Sequence, residues 1–142
     1  MTMLVMLSIS TYAQNLFGLD GDEGLTRYRL LPSPGWQILA AKDLAFALVA
    51  LLLALPLDPL AGLAAALMAL AVGHHASVNQ RRDEARWRFS TGMGFGGSMF
   101  QVVLMTLAAA GTTHHPLILA APIAAYTWST WWYGRTLERR PQ

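Results

Sequence analysis

The sequence predicts an all-α protein, a polytopic transmembrane helical bundle with four strong spans and one weak or clipped span at the N-terminus. Three observations predict it. Only 13% of the 142 residues are charged, against about 25% in soluble domains. The eighteen charges are bunched, so that runs 1–19, 44–57, 59–80 and 89–134, 101 residues in all, carry none. Within those runs lie apolar stretches close to the roughly 20 residues that a helix needs to cross the hydrocarbon core. A soluble surface cannot be built from so few charges, so an ordinary soluble domain and a disordered chain are both excluded. With no cysteine in the chain, a disulfide scaffold, thiolate metal sites and thiol nucleophiles are excluded as well.

The elements follow in chain order. Residues 1–17 form the weak candidate, interrupted by Ser8, Ser10, Thr11, Gln14 and Asn15. They lack the basic start and the small-residue cleavage site of a signal peptide. A clipped first span of a longer protein is the other reading. The first strong span is about 37–56, with Lys42 and Asp43 near its start, where a lysine can snorkel to the headgroups. The second, about 60–78, is rich in Ala and Leu; the third is about 93–111 and the fourth about 116–134. Pro56-Leu57-Asp58-Pro59 joins the first two strong spans, and Gly111 to Pro116 joins the last two. Such short links make two helical hairpins. All of this belongs to a single membrane domain, 1–142.

Basic residues orient the bundle. Arg27, Arg29 and Lys42 lie in or just after the first long connection, and Arg81, Arg82, Arg86 and Arg88 lie in the second. Arg135, Arg139 and Arg140 lie in the tail. All ten Lys and Arg residues therefore fall on one side, which the positive-inside rule makes cytoplasmic. A multi-pass protein of the cytoplasmic (inner) membrane is expected. The net charge of +2 and pI of about 9.4 then describe loops facing an anionic leaflet, and no nucleic-acid partner is expected. Trp128, Trp131, Trp132 and Tyr133, just ahead of Arg135, read as interfacial anchors of an aromatic belt.

The connection 18–36, GLDGDEGLTRYRLLPSPGW, carries the most local information. Asp20 and Glu23 have capping-box spacing. Leu25, Tyr28 and Leu31 recur at helical spacing, and Pro32 and Pro34 stop the helix. A short amphipathic helix over about 20–31, lying on the cytoplasmic membrane surface, is predicted.

The same region carries a family resemblance. Asn15-Leu16-Phe17-Gly18-Leu19-Asp20, then Gly24, Tyr28 and Leu31-Pro32, then Ile38-Leu39-Ala40-Ala41-Lys42-Asp43-Leu44-Ala45 together resemble a segment of bacterial type-2 ABC exporter permeases. In that family an Asn-x-Phe-Gly-x-Asp element ends a span, and a Leu-x-Gly-Lys-Asn-like element opens the next. This chain has Ala41 where Gly is usual and Asp43 where Asn is frequent. The specific match covers about 30 residues, and the order of spans and basic loops agrees with the C-terminal portion of such a permease. The resemblance implies a membrane subunit of an ATP-driven exporter, paired with a separate ATP-binding subunit and with a second permease half or another copy. It makes 18–36 a coupling element, with Arg27, Tyr28 and Arg29 as candidate ATPase contacts. The chain contains no Gly-x-x-x-x-Gly-Lys-Ser/Thr loop, so the ATPase is another polypeptide. The alternative is a small integral-membrane helical bundle with a binding or scaffold role.

Other constellations were weighed against catalysis. His74-His75 and His114-His115 invite a metal, but about 30 Å of bilayer separates the pairs, and interfacial polar residues are the simpler expectation. Gly92 and Gly96 have G-x-x-x-G spacing, which predicts close helix packing or a flexible re-entry. Ser98 has no base placed near it, and Gln101, deeper in the span, is expected to bond between helices or line a pathway. No ionisable residue falls at the centre of a span, which disfavours a proton- or ion-coupled pump. No catalytic residue, cofactor or metal ligand is assigned, and the protein is not expected to be an enzyme.

Overall fold

The computed structural model describes residues 1–14, 33–79 and 93–139. Within them lie five α-helices, α1 (Thr2–Ala13), α2 (Gly35–Ala54), α3 (Pro59–Asn79), α4 (Phe95–His114) and α5 (Ala120–Arg139), with a 3-10 turn at Pro116–Leu119 before α5. The chain is thus an all-helical bundle, as the sequence predicts. Helices α2, α3 and α4 are long and apolar enough to cross a membrane, which makes this a membrane protein with three such helices among the described residues.

Helix α3 is the axle of the bundle and packs against all four other helices. Its composition explains the position. Ala61, Ala64, Ala65, Ala66 and Ala69 are all buried, and small side chains let neighbouring backbones approach where apolar burial alone gives no drive between helices. Around it, α1 touches α2 and α4, and α2 touches α5. Each outer helix turns one stripe inward. On α2 this is Gly35, Leu39, Asp43, Phe46, Ala50 and Ala54. On α4 it is Gln101, Met105, Ala108, Ala109 and Thr112. Both stripes step by three or four residues, the period of one helix face. Opposite faces, such as Leu44, Leu48 and Leu52 on α2 and Phe100, Val103 and Leu107 on α4, are exposed and apolar.

Two predicted spans differ from the helices found. The fourth, 116–134, is displaced toward the C-terminus. Pro116 opens a 3-10 turn, and the helix proper runs from Ala120 to Arg139. This places Pro122 in the first turn, where its missing N–H has no helical partner to lose. The shift brings Arg135, Glu138 and Arg139 into the helix, and α5 is not among the three apolar helices. The weak N-terminal candidate is a helix over Thr2–Ala13. Its 12 residues span about 18 Å at 1.5 Å per residue, short of the hydrocarbon core. The expected interfacial helix 20–31, with Arg27, Tyr28 and Arg29, and the basic stretch 81–88 lie outside the described residues.

Glycines mark the closest crossings. A Cβ on Gly73 would fall on the backbone of Ala13, which seats α1 against α3. Gly35 and Gly134 face each other where α2 crosses α5, and a Cβ on either would meet the backbone of the other helix. Gly96 behaves otherwise. A Cβ there would meet nothing within 4 Å; Gly92, the other half of the expected G-x-x-x-G spacing, lies outside the described residues.

The hairpin end is tied by Asp58. Its Oδ1 accepts the Ala61 N–H at 3.0 Å, capping α3, and its Oδ2 accepts the Thr113 hydroxyl at 3.1 Å from the end of α4. Asp58→Ala is expected to cost about 1 kcal/mol, the usual loss for an N-cap, read as a lower unfolding midpoint of the detergent-solubilised protein. Asp58→Asn, which keeps the acceptor toward Ala61, should recover most of it.

A buried histidine–carboxylate cluster between three helices

The inward stripe of α2 contains one charged residue, Asp43, about 12 Å along the helix from Gly35. Facing it is His74 of α3, about 7.5 Å from the end of that helix at Asn79. Both are sealed from solvent, His74 at 0% and Asp43 at 1% exposure. His74 Nε2 lies 3.1 Å from Asp43 Oδ1 and 3.0 Å from Oδ2. His74 Nδ1 lies 2.9 Å from Ser129 Oγ on α5. The Ser129 hydroxyl donates to the Ala71 carbonyl of α3 at 2.7 Å. The Tyr126 hydroxyl donates to Asp43 Oδ2 at 3.0 Å. One imidazole therefore joins α2, α3 and α5, and every polar atom of the group has a partner, as a buried charge requires.

Aromatic rings close the cluster. Tyr126 and Tyr133 lie 6.1 and 6.3 Å from the His74 ring, centroid to centroid. The Tyr133 hydroxyl bonds His75 Nδ1 at 3.0 Å. Ser129 resembles a nucleophile in having a histidine and a carboxylate in line behind it. Its side chain is buried, and its hydroxyl proton is directed at the Ala71 carbonyl.

The sequence reading gave Asp43 no partner and took His74 as an interfacial polar residue. The structure buries both and pairs them with each other between the helices. The signal was present in the spacing, since Asp43 falls four residues after Leu39 and three before Phe46, on the face that must point inward. Linear distance from the span's start hid it.

A second polar group joins α1, α3 and α4. Gln101 donates from Nε2 to the carbonyls of Ser10 and Ala69 at 3.4 and 3.3 Å, and its Oε1 accepts from Gln14 Nε2. Gln14 Oε1 accepts the Met93 N–H at 3.1 Å. The expected role of Gln101 as an interhelical bond is what the structure has. Among the described residues no group of three His, Cys, Asp or Glu side chains is placed to hold a metal ion.

The four predicted anchors divide by direction. Trp128, Trp131 and Trp132 point outward from α5; Trp128 stacks on Trp132 with centroids 6.3 Å apart and meets Trp131, tilted, at 5.5 Å. The Arg135 guanidinium lies 4.0 Å over the Trp131 ring. Their exposure fits an aromatic belt. Tyr133 turns the other way, into the histidine cluster.

Compared with known proteins, the chain matches no family model, no curated protein and no solved structure.

Proposed function

We propose that the chain is the membrane-spanning permease subunit, or the C-terminal portion of one, of an ATP-driven ABC-type exporter, coupled to a separate ATPase subunit and completed by a second permease half or another copy. The basic connections and the C-terminus are cytoplasmic in this reading, and the membrane is the inner membrane. The observation that carries it beyond the resemblance is how α2 is tied down. This helix begins at Gly35, at the end of the 18–36 segment that would receive the ATPase. Its first residue, Gly35, donates its N–H to Glu138 Oε1 of α5 at 2.8 Å. Two turns on, Asp43 holds α3 and α5. A push on 18–36 would thus act at once on three helices rather than on one.

Interlocked helices of this kind have discrete arrangements rather than a continuous range, which suits alternating access. Substrate movement then needs no covalent chemistry from this chain. The exposed apolar faces of α2 and α4 are free for lipid or for the helices of the companion half.

The test is co-purification. The tagged full chain, taken from its native membrane in mild detergent, is expected to carry a polypeptide with a Walker-type phosphate loop and its ATP hydrolysis. Arg27→Glu combined with Arg29→Glu should reduce that recovery about tenfold or more, since charge reversal at a contact costs several kcal/mol. Equal recovery from both forms would remove the docking role of 18–36. If no ATPase accompanies the intact chain, the protein is instead a helical bundle with a binding or scaffold role.

A further inference from the structure

We propose that His74 and Asp43 form an intramembrane proton-binding site whose matched, single-proton state locks α2, α3 and α5 together. The inference is independent of any ATPase.

It follows from counting donors. Ser129 has one hydroxyl proton, directed at the Ala71 carbonyl. Its oxygen therefore receives a proton from His74 Nδ1, 2.9 Å away, which puts an N–H on that nitrogen. Among the described residues, Nε2 faces the two oxygens of Asp43 and no other polar atom. One further proton must lie between them. It belongs either to an imidazolium facing a carboxylate or to an imidazole facing a carboxylic acid, and in both cases the pair is neutral overall.

The neighbouring proton states do not fit. A second proton makes an imidazolium facing a neutral carboxyl group. Asp43 then becomes a donor while Nε2–H and the Tyr126 hydroxyl both point donors at it. Removing the shared proton sets the Nε2 lone pair against a carboxylate, acceptor against acceptor. Either change breaks a contact between helices and leaves a net charge where water is excluded. Proton uptake or release is therefore converted into movement of α5 relative to α2 and α3. Ionisable groups inside a membrane protein commonly mark such coupling sites.

Among the described residues, the titratable groups nearest the site come from α5, α2 and α3. Helix α5 contributes Tyr126 and Tyr133. Helix α2 contributes Asp43 itself, with half-buried Lys42 next to it in sequence. On α3, exposed His75 bonds the far side of Tyr133. Tyr12 of α1 stacks on Phe46 instead, with centroids 6.1 Å apart. The one titratable side chain of α4 is His114, at the opposite end of the bundle.

The experiment is an infrared pH titration of the full chain in lipid vesicles, with tryptophan fluorescence followed in parallel. Trp128, Trp131 and Trp132 flank Ser129 on α5 and report that helix. Changing the pH should add or shift one component of the carboxyl C=O absorption at the same midpoint as a fluorescence change. Asp43→Asn should remove that component and leave those of the other carboxyl groups. His74→Gln should abolish the fluorescence change, and His114→Gln should leave both intact. Tyr126→Phe removes one hydrogen bond and little volume, so it should keep the fold and shift that component, which decides the matter if the other variants fail to fold. A spectrum unchanged by Asp43→Asn overturns the proposal, as does a component indifferent to Tyr126→Phe, or a fluorescence change that survives His74→Gln. So does the lack of any component that shares the fluorescence midpoint across the pH range in which the helices persist.

Discussion

Replacing His74 with Ala is expected to destabilise the folded bundle by about 3–5 kcal/mol, the loss typical when one partner of a buried ion pair is removed. Two effects add. Asp43 is left buried without the ring nitrogen that shares its proton, and Ser129 Oγ loses its donor. The surrounding aromatic rings offer no substitute. A control separates pairing from packing. Changing both His74 and Asp43 to Leu removes the charges together, and such exchanges for apolar residues are often neutral, so the double variant should be clearly more stable than His74→Ala alone. The comparison is made by denaturant unfolding of the purified protein in micelles, followed by helix content. Equal losses in the single and the double variant would mean that the pair contributes only volume.

Gly134→Leu should be strongly damaging on the surface between α2 and α5. A Cβ at 134 would lie 2.7 Å from the Trp36 backbone N and 2.8 Å from its Cα. Overpacking costs about 1–3 kcal/mol where side chains can yield. Here the obstructing atoms are backbone, so the helices themselves must part, and a loss at or above the top of that range is expected. Parting them also breaks the bond from Gly35 N–H to Glu138. Gly35→Leu meets the same crossing from the other side, through the carbonyl of Gly134. The two substitutions together should therefore cost less than the sum of each alone, because residues in contact are not additive. Gly96→Leu provides the contrast, since that position is open, and little loss is expected from it.

The membrane character and helical class could be read from composition, because the hydrocarbon core imposes a length and an apolarity that few other structures need. Hairpin turns were equally legible. Pro56 to Pro59 cannot continue a helix, and Asp58 was available to cap the next one. The fourth span was placed by its apolar run, but hydropathy does not register that Pro116 favours a 3-10 turn or that Tyr126, Ser129 and Tyr133 share a face. The N-terminal candidate was long enough only if polar Gln14 and Asn15 were included, and Gln14 instead ends helix α1 and bonds Gln101 and Met93.

What the sequence determined by itself was where this chain can reside. Its 101 uncharged residues in four runs leave a lipid interior as the surroundings, and backbone groups in lipid must be bonded within helices. What only the tertiary structure decided was which of its scattered polar residues meet. Asp43, His74 and Ser129 are 31 and 55 residues apart along the chain, on three helices whose rotation no local pattern specifies. That rotation is set by mutual fit, through Ala-rich α3, the crossing of Gly35 with Gly134, and the seat of Ala13 on Gly73. Once these small residues let the backbones close, the polar side chains on the inward faces had to find one another, because no water was left to bond them.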